Sequence, residues 1–384
     1  MTNSSSPYSS YTHTLILLIS SLLLIPNIIM AAQNLFFTFF LSSIILLIIG
    51  TEVVQSSSNL HQHHISHHRI AKRLLVFGDS YADTGNNRKS MSGSWKEPYG
   101  ITFPGKPSGR FSDGRVFTDF LARSLGLKSP IAYRWRKYMK RQLKYGMNFA
   151  YGGTGVFDTM APYPNMTTQI DFFQRLVNES VFTHSDLQNS VAHVSLAGND
   201  YSNYLAKGGS ILDLQSYIAQ VVNQLVIDLQ RIYNLGVKKI SLTSLQPLGC
   251  LPTNTFETSF QLCNSTSNKA VKFHNLLLQQ AVSKLNKHLH NPFVVVDLYT
   301  AFSSIIHEKG AQQGNIRFDN PLKPCCMGIN KAYECGDVDE KGNKMYNVCK
   351  NPESYFFWDL VHPTQAGWHA VTIALQSTLQ QLRH

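Results

Sequence analysis

Four apolar residues, Leu74-Leu75-Val76-Phe77, follow two cations and run straight into Gly78-Asp79-Ser80-Tyr81-Ala82-Asp83-Thr84-Gly85-Asn86-Asn87. An unbroken apolar run of this length reads as a strand buried on both faces, as in a parallel sheet. Gly78, Asp79, Gly85 and the Asn pair then force the backbone to turn. Ser80 thus stands at the carboxyl end of the first strand of an open α/β sheet, the edge where ligands bind. The plainer reading of the same residue is a helix cap, and only the rest of the chain decides between the two.

Further strand-then-loop units follow. Met147 to Tyr151 reads as a second strand, ending in Gly152-Gly153-Thr154-Gly155, where adjacent glycines let a ligand approach the backbone closely. Ser190 to Leu196 is a third, leading into Ala197-Gly198-Asn199-Asp200; Lys239 to Leu245 and Phe293 to Leu298 are the fourth and fifth. Helical spacing marks Val116 to Leu125, stopped by Gly126, then Asp213 to Leu235, stopped by Gly236, and Asn268 to His290. Right-handed crossovers then predict a flavodoxin-like three-layer α/β/α sandwich on a five-stranded parallel sheet. Gly93 to Gly114 holds too many turn formers for a regular element and is expected to lie as a loop over the sheet edge near Ser80.

Near the C-terminus stands Phe356-Phe357-Trp358-Asp359-Leu360-Val361-His362-Pro363-Thr364. A nucleophilic serine needs a base for its proton and a third group to fix the base's tautomer, and one turn can present both Asp359 and His362. An Asp-x-x-His alone is a weak signal, since a loop histidine is more often structural. In the α/β-hydrolase fold the acid and histidine lie far apart and the serine sits in a mid-chain Gly-x-Ser-x-Gly elbow; no such pentapeptide occurs here, although Gly78-Asp79-Ser80-Tyr81-Ala82 is a near miss.

Taken together these blocks resemble the plant-type GDSL esterase/lipase family, the SGNH hydrolases, over residues 72–380. The similarity is carried by Phe77-Gly78-Asp79-Ser80 with Asp83-Thr84-Gly85-Asn86-Asn87, by Gly109-Arg110-Phe111-Ser112-Asp113-Gly114 and by Asn148-Phe149-Ala150-Tyr151-Gly152-Gly153. It continues through Gly198-Asn199-Asp200, Pro247-Leu248-Gly249-Cys250 and Phe357 to Thr364. The resemblance implies a serine ester hydrolase with catalytic Ser80, Asp359 and His362 and no cofactor or metal. It also implies an oxyanion hole from the amides of Ser80 and Gly153 and the side chain of Asn199. Tyr151-Gly152 stands where many relatives carry Ser-Gly, so Gly152 competes with Gly153 as donor, and Gly153 is preferred.

Residues 1–58 read as a hydrophobic leader. Its two apolar runs, Leu15 to Met30 and Leu35 to Ile49, are each shorter than the ~20 residues of a spanning helix, which favours a secretory signal. Met30 is expected as the true start, with cleavage near Ser56 to Ser58; a retained membrane anchor is the alternative. Residues 59–71 form a His-rich linker and 72–384 the hydrolase domain. Six cysteines, Cys250, Cys263, Cys325, Cys326, Cys335 and Cys349, agree with export and disulfides, with Cys250 to Cys263 the simplest closure. Asn165, Asn178 and Asn264 are glycosylation acceptors in a secreted chain.

The net charge of +11 favours adhesion to anionic cell-wall polymer. The basic run Arg134 to Lys144 reads as a solvated face rather than a nucleic-acid patch. A small-molecule or lipid ester is the expected partner of a monomeric enzyme. Two rivals remain at this stage. One is a catalytically silent wall or surface-binding protein. The other is a metallophosphoesterase, which would need further carboxylate and His ligands beside Gly198-Asn199-Asp200.

Overall fold

The computed structural model describes residues 71–196, 198–307 and 317–383. The expected leader and nearly all of the His-rich linker lie outside the described residues. Six parallel strands make the central sheet: β1 (Arg73–Gly78), β2 (Ile131–Ala132), β3 (Gly146–Asn148), β4 (Ser190–Ser195), β5 (Lys239–Thr243) and β6 (Phe293–Val296). Their order is β2-β3-β1-β4-β5-β6, with every pairing parallel. The sequence reading of five strands is therefore corrected to six. The missed one, β2, is a two-residue edge strand, too short to show any periodicity.

Alternation along β1 divides the core. Leu74 and Val76 pack with Phe117 and Leu121 of α1 (Phe117–Ser124), Phe302 and Ile305 of α6 (Leu298–His307), and Trp368 and Val371 of α7 (Gln365–Ala374). Leu75 and Phe77 face the other way, onto Ile170 and Phe173 of α2 (Met166–Asn178), Val221 and Leu225 of α4 (Leu214–Asn234), and Leu278 and Val282 of α5 (Ser265–Leu289). A strand covered on both faces favours apolar residues along its whole length, which is why β1 reads as a continuous run. The result is a three-layer α/β/α sandwich. Between β4 and α4 lies α3 (Asn199–Ala206).

A smaller antiparallel pair, β7 (Cys326–Gly328) with β8 (Tyr346–Val348), stands outside the sheet. Disulfides Cys325–Cys349 and Cys326–Cys335 brace it, and Cys250–Cys263 closes the turn after β5. The adjacent cysteines also bind the C-terminal motif: Cys325 N–H donates to the Phe357 carbonyl at 3.0 Å and Cys326 N–H to that of Trp358 at 2.6 Å. Among the described residues, no helix is long and apolar enough to cross a membrane.

Candidate active site

Ser80 sits in the turn after β1, not at a helix N-terminus. Gly78 makes that turn possible. Its φ is +139°, and a Cβ there would lie 1.9 Å from the Ser195 carbonyl oxygen, so only glycine lets β1 end against β4. Gln169 of α2 clamps the strand end, accepting from Gly78 N–H at 2.8 Å and donating to the Gly78 carbonyl at 2.9 Å.

His362 reaches this serine from the far end of the chain. Its Nε2 lies 2.8 Å from Ser80 Oγ, and its Nδ1 lies 2.8 and 2.9 Å from the two carboxylate oxygens of Asp359. The turn is self-consistent, because Asp359 Oδ1 also accepts from the Val361 and His362 amides, both at 2.8 Å. The spacing of acid and base thus places both on one tight loop, closed by Trp358 N–H donating to the His362 carbonyl. Tyr81 OH ties that loop to the serine turn by donating to the Val361 carbonyl at 2.9 Å. The Phe111 ring lies 5.0 Å from the imidazole.

Asp359 has a further partner that the sequence did not suggest. Tyr99 OH donates to its Oδ2 at 2.7 Å, and both residues are buried. Burial works to raise the Asp359 carboxyl. The attraction of His362 and the hydrogen bonds from His362 and Tyr99 outweigh it and hold the group below its ordinary value. Burial, with the Asp359 charge beside it, pushes the Tyr99 phenol well above its ordinary value, so it remains a donor.

The loop after β3 stands across from these groups. Gly152 N–H donates to Asp83 Oδ2 at 3.2 Å, whereas neither Gly153 N–H nor Ser80 N–H has a hydrogen-bond partner among the described residues. Gly153 adopts φ +84°, a conformation that suits glycine. Asn199 begins α3, with Nδ2 2.9 Å from the Thr154 carbonyl and 3.1 Å from Asp79 Oδ2. Asp200 fixes the loop to α3, accepting from the Val156 and Phe157 amides at 2.9 Å each.

The Asp83 to Asn87 block turns out to be a clamp. Asp83 Oδ1 accepts from the Gly85 and Asn86 amides at 2.7 Å, and Asn86 Nδ2 donates to the Asn148 and Ala150 carbonyls. Burial lifts the Asp83 carboxyl to about 6 despite these backbone donors. Two cavities open beside the Ser80–His362 pair. One of about 210 Å³ includes Ser80 and Asn199; another of about 530 Å³ includes His362 and Asp359; Val361 lines both.

The expected glycosylation residues lie at helix ends. Asn165 caps α2, accepting from Thr168 N–H and donating to Asp158 Oδ1. Asn178 is exposed at the end of α2, and Asn264 caps α5 through Ser267 N–H. The basic run Arg134 to Lys144 forms 3-10 turns with mostly exposed cations.

Residues 74–375 match the family described as GDSL-like Lipase/Acylhydrolase. Two Arabidopsis thaliana proteins named GDSL esterase/lipase are 57% and 55% identical over 320 and 314 residues. They cover 83% and 81% of this chain and 89% of each relative. Acetylajmalan esterase 2 of Rauvolfia serpentina is 29% identical over 337 residues, covering 81% of this chain and 91% of its own. The chain belongs to the GDSL-like lipase/acylhydrolase family and is a carboxylic ester hydrolase.

Proposed function

We propose that ester cleavage runs through an acyl-enzyme on Ser80. The observation that carries this reading is the unbroken chain from Ser80 Oγ through the His362 imidazole to the Asp359 carboxylate, each link 2.8 to 2.9 Å long. His362 Nε2 takes the serine proton as Oγ attacks the ester carbonyl, then returns it to the departing alcohol. Asp359 holds the Nδ1–H tautomer and stabilises the imidazolium. Water then repeats the sequence on the acyl-enzyme and releases the acid.

The negative charge on the attacked oxygen falls to the amides of Ser80 and Gly153, which have no hydrogen-bond partner among the described residues, and to Asn199 Nδ2. Each such donor is worth about 2.7–4 kcal/mol of barrier. For Asn199 to contribute, its contact with Asp79 must yield to the substrate oxygen. The scheme uses no metal or cofactor. Three disulfides and no free cysteine among the described residues support a secreted enzyme, and the positive net charge supports adhesion to an anionic wall polymer. Secretion would expose Asn165, Asn178 and Asn264 to glycosylation. The aliphatic lining of the cavity at Ser80 supports acyl esters of lipid character.

The test is hydrolysis of a p-nitrophenyl ester by the wild type and Ser80→Ala, with and without a chelator. The wild type should be active and chelator-resistant, and Ser80→Ala should lose activity by roughly the 10⁶-fold seen on removing a nucleophile. Equal, measurable rates would refute the acyl-enzyme on Ser80, and no turnover by either protein would favour a silent binding protein.

A further inference from the structure

The two cavities beside the Ser80–His362 pair differ in chemistry, and the reaction decides which part of an ester enters each. In any acyl transfer to Ser80 the departing alkoxide must lie within reach of His362 Nε2, since that nitrogen delivers its proton. The acyl carbon must lie on Ser80 Oγ with its oxygen toward Asn199. The smaller cavity contains Ser80 and Asn199, with walls of Leu205, Leu214, Ile218 and Leu251. It suits the acyl chain. The larger contains His362 and Asp359 and extends to Ser90, Lys96, Glu334 and Asp337.

From this division we infer that the larger cavity is an alcohol subsite for a polyhydroxylated alcohol of at least hexose size. The inference rests on the acyl-enzyme reading of Ser80 and His362. Its volume of about 530 Å³ lies within the ~300–1,000 Å³ of pockets that enclose drug-sized molecules, far more than methanol or ethanol needs. Beside Met91, Phe111, Leu360 and Val361, its lining offers charged groups that sugar hydroxyls bind. Lys96 Nζ and Asp337 Oδ1 pair at 3.1 Å while Lys96 stays half exposed, and Glu334 is exposed. An aliphatic alcohol would bury these groups without replacing their hydrogen bonds to water, which is costly.

The subsite is built rather than incidental. Its wall carries the Cys326–Cys335 disulfide, and the loop behind it meets the 96–97 segment at backbone level. A Cβ on Gly336 would come within 2.9 Å of the Glu97 carbonyl oxygen. Such a wall holds the backbone that carries Lys96 and Glu334, so less of the subsite has to be ordered on binding.

Three butyrate esters with unactivated leaving groups test the inference: 6-O-butyryl-glucose, glycerol monobutyrate and ethyl butyrate. The wild type should prefer the sugar ester over the ethyl ester by roughly tenfold or more in kcat/KM, as a site built for hydroxyls rejects an analogue lacking them. Ser90→Trp, which fills the mouth from an exposed position, and Glu334→Leu should each cut that ratio about fivefold. Because the readout is a ratio of two substrates on one preparation, loss of folded enzyme cancels. A flat ratio in the wild type, a sugar ester no better than the glycerol ester, or variants with the wild-type ratio would overturn the subsite. A Ser80→Ala protein that still cleaves all three would instead overturn the acyl-enzyme reading beneath it.

Discussion

Replacing Tyr99 with Phe removes one oxygen and leaves the ring against Trp358, whose centroid is 5.9 Å away. The lost bond is the 2.7 Å donation to Asp359 Oδ2. A hydrogen bond to a charged group is worth about 1.5–3 kcal/mol net. The other donors to the carboxylate are the Val361 and His362 amides, both on Oδ1, and the imidazole Nδ1, which is near both oxygens. In the variant the imidazole alone would hold Oδ2, so the carboxylate gains freedom to turn away from the geometry that fixes the base. If the whole bond energy appeared in the barrier, kcat would fall by between about tenfold and about 150-fold, at 1.36 kcal/mol per decade.

We expect a kcat loss of about tenfold with little change in KM, since most of that energy supports the resting site as well. The pH dependence separates this from a simple fold defect. Asp359 titrates below its ordinary value in the folded chain, so its contribution to stability is present above the unfolded value and lost as pH falls through the folded one. Without the phenol the folded value rises, and the acid limbs of both kcat and unfolding free energy should move to higher pH. Stopped-flow or plate assays of kcat from pH 3 to 8, beside urea unfolding, would measure both. An unchanged kcat with an unshifted acid limb would refute a positioning role for Tyr99.

Asn199→Ala should lower kcat by about 10²–10³ with KM nearly constant, because the donor acts on charge that develops during reaction; a change in KM alone would contradict this. Asp228, fully buried in α4 and weakly held by Thr167 and Gln224, is pushed up to about 6 by burial. The folded state then binds more protons than the unfolded between about pH 4 and 6, so this group costs stability as pH rises through that window. Asp228→Asn should therefore stabilise the protein by about 1–3 kcal/mol at pH 7.5 and leave it nearly unchanged at pH 4. Urea midpoints at the two pH values check this, and equal shifts would reject it. Deleting the Cys326–Cys335 bridge, which spans 9 residues, with paired alanines should cost about 2–3 kcal/mol of stability, read from thermal unfolding. No change would mean the loop is held by its other contacts.

Apolar runs made part of the sheet legible: Leu74 to Phe77 and Phe293 to Val296 read directly as strands covered on both faces, whereas the segments at 190 and 239 read as strands although buried Ser190, His193, Ser195, Ser241 and Thr243 interrupt their apolar residues. Edge strand β2 was not legible, because two residues cannot carry a period. Helix α2 was also passed over, although its Met166, Ile170 and Phe173 are spaced as one buried stripe. Ser80, Asp359 and His362 could be proposed because their chemistry narrows the residue types. Tyr99 could not, since nothing in a loop of turn formers reveals a bond to a carboxylate 260 residues away. The Asp83 to Asn87 block was legible as a motif but not as a clamp; its amides and carboxylate answer to backbone groups, which sequence does not display.

Ser80 and His362 are 282 residues apart, yet they share one hydrogen bond. During synthesis Ser80 leaves the ribosome early, long before the residue it is hydrogen-bonded to. Under the acyl-enzyme mechanism proposed above, a chain interrupted before His362 would carry the hydroxyl without its base, so an incomplete product could not form the acyl-enzyme.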